Sequence, residues 1–258
     1  IRDRAWTASE RWIVGSTLLD YAAFSHPRPV VTEHRQTRTR IKICGITRML
    51  DAEAVLNAGA DAMGLNFSPR SPRCIGPDVA SRLADAVADK LCVVGLFLDH
   101  SADEVRRVMD RVRLDLLQFH GNEDEAFCAG FGLPYAKAHR VRAPVTAVAL
   151  RSSFPTAAWH LLDAYVPGKP GGTGEQFDWQ HWPGADAGSP ALKLGLAGGL
   201  TPGNVAGAMR KLRPDAVDVS GGVEGDRKGE KDAEKIGAFV AAVRAEDASR
   251  KAGEDASR

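Results

Sequence analysis

From Ile41 onward the sequence alternates between two hydrophobic periods, and this alternation restricts the fold more than any other feature. Short apolar runs that read as buried strands are separated by longer segments with helical periodicity. The run IKICGIT at 41–47 opens the series. LCVVGLFL at 91–98 is almost unbroken in apolar residues, as a parallel strand covered on both faces should be. Further strands are expected at 61–67, 114–119, 135–141, 157–162, 191–196 and 216–219. Helices are expected at 48–58, 77–87, 101–112, 123–130, 144–150, 202–212 and 231–245. Local signals support several boundaries: Gly59 behind the first helix, prolines at 77 and 202, and Ser101 with Glu104 as a capping box. Strict alternation implies a parallel sheet, and eight such strands, with a long loop in place of a helix after the sixth, close into an α/β (β/α)8 barrel, the TIM barrel. An open doubly wound sheet fits less well, because no G-x-G-x-x-G follows the first strand.

The barrel is assigned to residues 40–246. Residues 1–39 lack a sustained period and form an N-terminal extension, either upstream sequence or a short docking helix over 8–24. EDASR occurs at 246–250 and again at 254–258, and residues 247–258 read as a frayed or disordered tail. A formal net charge of +1 gives no reason to expect nucleic acid as a partner. The four cysteines show no C-x-x-C pair and no nearby histidine cluster. Neither a metal nor a disulfide framework is therefore expected, and a reducing, cytoplasmic setting fits. No apolar run approaches the roughly 18 residues of a membrane span, and the first residues lack a signal-peptide pattern.

In a parallel barrel, chemistry gathers at the carboxyl ends of the strands. Cys44 is the last side chain before Gly45, so its thiol is expected at that end. A thiol there can serve as acid, base or nucleophile, although taken alone it reads more readily as a small apolar core residue, a reading the rest of the chain reverses. Asp163 follows Leu161 and Leu162 and is expected in the barrel mouth, where an apolar setting suits a general acid. Two glycine-rich loops, Gly198-Gly199 and Ser220-Gly221-Gly222, follow the seventh and eighth strands, a frequent phosphate site in such barrels. Gly171-Gly172-Thr173-Gly174 lies in a long positive loop that reads as a lid. Arg73, with Arg70 as competitor, sits in a proline-stiffened loop and could clamp a carboxylate. Gln118 and His120 end the fourth strand as pocket lining, with His120 placed to orient a neighbour. Asp218 lies inside the eighth strand and needs a partner, which makes it structural or supporting.

These stretches together resemble the phosphoribosylanthranilate isomerase family. The matching segments are KICGIT (42–47), GADAMGLNFSPRSPRCI (59–75), LLQFHGNE (116–123), LLDA (161–164), GGTGEQFDW (171–179), LAGGLTPGNV (196–205) and DAVDVSGGVE (215–224). The resemblance implies an Amadori rearrangement of N-(5'-phosphoribosyl)anthranilate in tryptophan biosynthesis, with no cofactor or metal. It implies Asp163 as general acid, Cys44 as general base, Arg73 as holder of the anthranilate carboxylate, and the two glycine loops as the phosphate site. The partner implied is a small phosphosugar, met by a monomer or homodimer. Competing readings are a histidine-pathway or dual-substrate sugar isomerase, indole-glycerol phosphate synthase, and a non-catalytic phosphosugar-binding barrel. Cys44 counts against the first, which resembles a design with aspartate at that position. The lack of a strand-end lysine counts against the second, and the Cys44–Asp163 pair against the third.

Overall fold

The structure, a computed structural model, describes residues 38–164, 179–183 and 192–255. Eight parallel strands close into a barrel in sequence order. They are β1 (Arg40–Cys44), β2 (Ala62–Asn66), β3 (Cys92–Phe97), β4 (Leu116–Phe119), β5 (Tyr135–Val141), β6 (Trp159–Ala164), β7 (Leu194–Leu196) and β8 (Ala216–Val219). β1 pairs with β2 on one side and with β8 on the other, which closes the ring. The helices are α1 (Met49–Asn57), α2 (Pro77–Ala86), α3 (Ala102–Met109), α4 (Glu125–Ala129), α5 (Ala147–Ser153), α6 (Val205–Leu212) and α7 (Ala233–Asp255). Between β6 and β7 the described residues carry one 3-10 turn, Trp179–His181. The expected (β/α)8 architecture is borne out.

Alternation along each strand divides the apolar residues into two layers. Ile41, Ile43, Leu65, Phe97 and Phe119 point outward and pack under the helices. Inside the ring lie smaller groups: Ala62, Val94, Leu116, Ala136, Ala216 and the single large Trp159. Burial of the outer layer, at about 25 cal/mol per Å² of apolar surface, is what holds helices to sheet.

Several element ends differ from the sequence expectation. Ser101 does cap α3 with a full capping box to Glu104. α5 begins later than Pro144, because the Thr146 side chain accepts from Ala149 N and fixes the start there. Pro202 does not open α6: Thr201 N donates to Asn204 Oδ1 at 2.8 Å, and the helix starts after Asn204. The expected tail is corrected too. Residues 247–255 continue α7, and Asp247 accepts hydrogen bonds from Thr39 N at 3.0 Å and Thr39 Oγ1 at 2.8 Å. These bonds tie the last helix to the entry of β1, which a frayed tail could not do. The proposed extension up to residue 37 and the lid at 171–174 lie outside the described residues.

One outward-facing pair couples this fold to pH. His139 on β5 and His160 on β6 stack with centroids 5.2 Å apart, and His139 Nε2 lies 3.0 Å from His160 Nδ1. Such a contact needs one donor and one acceptor, so the accepting ring must be neutral and the two rings cannot both be protonated. Burial first, then mutual repulsion, holds His139 down to about 3; burial, helped by Arg151, holds His160 down to about 4. Both folded values lie below the ordinary 6.5, so in the window from about pH 6.5 down to 4 the unfolded chain binds protons that the native state refuses. Stability should fall across that window, by at most about 1.4 kcal/mol per pH unit for each ring. Thermal melts from pH 7.5 to 4.5 check this. The double variant His139→Leu/His160→Leu should show a shallower decline in Tm than the parent.

Candidate active site

A cavity of about 490 Å³ opens at the carboxyl ends of the strands. Cys44, Arg73, Gln118, His120, Asp163, Asp218 and both glycine loops all line it. The residues singled out in the sequence therefore converge, apart from the lid segment. Cys44 reaches it from the end of β1, and Asp163 from inside β6, with β7 and β8 between them in the ring. Asp163 is one residue before the end of its strand and is buried. The strand was expected to stop at Leu162. It continues because Asp163 and Ala164 pair with Arg140 and Val141 of β5.

Cys44 sits among charges. Two residues earlier on the same face of β1, Lys42 Nζ donates to both oxygens of Asp218 at 2.9 Å. Lys42 and Asp218 are direct register partners across the β1–β8 pairing. This is the partner that Asp218 needed. Burial alone would pull the Lys42 ammonium down, but Asp218 and Cys44 outweigh it and hold it above its ordinary value. Burial pushes the Cys44 thiol up; Lys42 opposes that rise, Asp218 adds to it, and Lys231 opposes it again. Gly45 follows in a left-handed conformation at φ +75°. A Cβ there would lie 2.4 Å from Arg73 Cδ, so glycine lets the arginine lie flat against the strand end.

Arg73 is buried, and its fork is already engaged: Nε donates to Glu224 Oε1 at 2.5 Å and Nη2 to Glu224 Oε2 at 2.9 Å. The expected bidentate grip on a substrate carboxylate is thus made on Glu224 within the protein. Arg73 nonetheless lines the cavity. Arg70 is exposed and sits 3.7 Å from Asp99 at the rim. Around Asp163 the charge is different. His120 Nε2 lies 3.2 Å from Asp163 Oδ2, although out of line for a hydrogen bond. Gln118 Nε2 is 3.4 Å from His120 Nδ1, and Arg140 Nη2 donates to the His120 carbonyl at 2.9 Å. His120 accordingly stands beside the carboxylate as a positioned neighbour.

The two glycine loops back onto each other. Gly198 and Gly199 hold φ +86° and +64°, and Asn204 Nδ2 donates to the Gly199 carbonyl at 2.8 Å. Gly221 and Gly222 open a 3-10 turn, whose first N–H groups have no partner within the turn. Ser220 Oγ donates to the Cys44 carbonyl at 3.0 Å and so joins the loop to β1. The sequence reading missed Lys42, Glu224 and Lys231. Lys42 was recoverable, since it shares a face with Cys44 two residues on. Among the described residues no group of three or more His, Cys, Asp or Glu is arranged to hold a metal ion.

Residues 41–242 match the family model described as N-(5'phosphoribosyl)anthranilate (PRA) isomerase. The chain belongs to the phosphoribosylanthranilate isomerase family. An N-(5'-phosphoribosyl)anthranilate isomerase of Pseudomonas fluorescens is 51% identical over 205 residues, covering 80% of this chain and 95% of the relative. Among solved structures, a phosphoribosyl anthranilate isomerase of Thermus thermophilus superposes with a TM-score of 0.68 at 32% identity, covering 80% of this chain and 99% of its own. Another isomerase of this family, solved with reduced 1-(o-carboxyphenylamino)-1-deoxyribulose 5-phosphate, gives a TM-score of 0.64 at 30% identity, over 80% of this chain and 99% of the other. The chain is thus an isomerase of tryptophan biosynthesis, as the resemblance implied.

Within this family member the junction of the two loops is the tightest point of the site. A Cβ on Gly222 would lie 1.8 Å from the Leu200 carbonyl oxygen, a backbone atom that cannot step aside alone. Gly222→Ala should force the loops apart and cost about 1–3 kcal/mol, the range for overpacking. Urea unfolding followed by tryptophan fluorescence would read this as a lowered midpoint at constant m-value.

Proposed function

We propose that Asp163 and Cys44 act as the acid and base of the Amadori rearrangement of N-(5'-phosphoribosyl)anthranilate. Asp163 gives a proton to the furanose ring oxygen, the C1'–O bond breaks, and the anthranilate nitrogen supplies the electrons that form a Schiff base. The Cys44 thiolate then removes the C2' proton. The resulting enolamine takes a proton at C1' and becomes the ketone. C2' is oxidised and C1' reduced within one molecule, so the electron balance calls for no external redox partner.

The observation that supports this reading most is that Cys44 and Asp163 line one sugar-sized cavity from strands separated by β7 and β8. Their surroundings also differ, with lysine ammonium groups near the thiol and a histidine beside the carboxyl group. Distinct surroundings are how two titratable groups take opposite roles. The loops at 198–199 and 220–222 take the 5'-phosphate on this reading, far from the bond changes, where binding energy lowers the barrier without touching the reacting atoms. Arg73, preset by Glu224, offers its remaining N–H groups to the anthranilate carboxylate. Gln118, His120 and Asp218 support the acid and the base, and residues 171–174 would cover the substrate.

Replacement tests each role. Cys44→Ala and Asp163→Asn should each lower kcat by at least about 10²-fold, the usual worth of a general base or acid. The Kd for the reduced product analogue should stay within a few-fold of the parent. The loss of phosphoribosylanthranilate fluorescence gives the rate. An unchanged kcat would remove that residue from the mechanism. Running the histidine-pathway substrate beside it decides the runner-up, since turnover of both would reveal dual specificity.

A further inference from the structure

Behind the cavity wall lies a buried cation that the reaction scheme does not use. The Lys231 side chain is fully enclosed, with a relative exposure of 0%. Its Nζ donates to the Ser220 carbonyl at 3.0 Å and to Glu224 Oε1 at 3.2 Å, and lies 3.4 Å from Ser220 Oγ. Glu224 is the same carboxylate that grips Arg73, and it also accepts from Gly229 N at 3.1 Å. Ser220 in turn donates to the Cys44 carbonyl. One ammonium therefore links the arginine, the glycine loop and the strand that carries the thiol.

The charges around Cys44 do not cancel. On its own strand stands Lys42, paired with Asp218 of β8. Behind β8 stand Lys231 and Glu224, and from the loop after β2 comes Arg73. Three cations thus face two carboxylates. Asp163 and His120 are further along the wall, on β6 and at the end of β4. Removing the Lys42–Asp218 pair from the count leaves Arg73, Glu224 and Lys231, with a net charge of +1 in a setting that water screens poorly.

We propose that Lys231 is a positioning residue for Cys44: its charge favours the thiolate against the burial that opposes it, and its hydrogen bonds lock Ser220 against the strand end. Burial pulls the Lys231 ammonium down, while Glu224 and Cys44 favour its charged form. Burial would raise the Glu224 carboxyl, yet Arg73 and Lys231 together bring it below its ordinary value. A cation beside a thiol favours the thiolate. This inference deepens the reading of Cys44 as base and rests on it only for the kinetic consequence.

The test reads the thiol directly. Alkylation of Cys44 by iodoacetamide is followed against pH, with peptide mass spectrometry separating it from Cys74, Cys92 and Cys128. Lys231→Met should slow Cys44 alkylation several-fold at neutral pH and move its titration upward. Lys231→Gln keeps a donor but not the charge and should do the same, which covers the case where methionine prevents folding. Lys231→Arg keeps the charge and should restore the parent profile. The acid limb of kcat/KM should move upward with the thiol. An unmoved alkylation profile in a folded, uncharged variant overturns the proposal. A profile that moves while the kcat/KM limb stays put upholds the role of Lys231 and removes Cys44 as the base.

Discussion

The pairing of β8 with β1 closes the sheet, and with it comes an ion pair in the interior of the ring. The register that sets Ile43 opposite Val219 also sets Lys42 opposite Asp218. Both charged groups then lie inside the barrel, where each would be costly alone. Breaking a buried pair costs about 3–5 kcal/mol because one charge is left without compensation. A slipped register would have to meet that cost and would also turn the apolar residues of β1 to the wrong face. The pair therefore helps to specify how the first and last strands meet. That meeting brings the Cys44 carbonyl to Ser220 and the thiol to the cavity wall.

The cavity inherits its chemistry from this seam. Near β1 and β8, Arg73 and Asp218 line the wall, and Lys42 and Lys231 stand behind it, each cation held by a carboxylate. Near β6 and β4 it carries Asp163 and His120, with Gln118 between the histidine and the barrel interior. Rigid loops join the two regions across the top, because Gly222 and Leu200 touch through backbone atoms. Such contacts leave little room for the loops to slide, which suits a site that must hold a ligand in one orientation.

Local periodicity made much of the fold legible in the sequence. β5 and β8 occupy their expected residues, and the Ser101–Glu104 box caps α3 as expected. Cys44 was legible because a glycine marks the end of its strand. Less legible were features decided by a single side-chain bond, such as Thr146 setting the start of α5 and Asn204 that of α6. The tail misled for a related reason. A polar, repetitive segment looks unstructured by composition, yet Asp247 finds Thr39 across the molecule. Arg73 and Glu224 are 151 positions apart, and nothing in the periodicity of either segment pairs them.

The Arg73–Glu224 bond changes what the arginine can do for a ligand. A free guanidinium at the mouth of a cavity would lose rotamer freedom on binding a carboxylate, a cost of about 0.5–1.5 kcal/mol for such a side chain. Here Glu224 has already fixed the fork, Gly45 has given it a flat seat, and Lys231 steadies Glu224 from behind. The ordering is complete before any ligand arrives. Because two cations share Glu224, the arginine still carries charge that the carboxylate has not neutralised. Arg73, Lys231 and Glu224 together keep a net charge of +1.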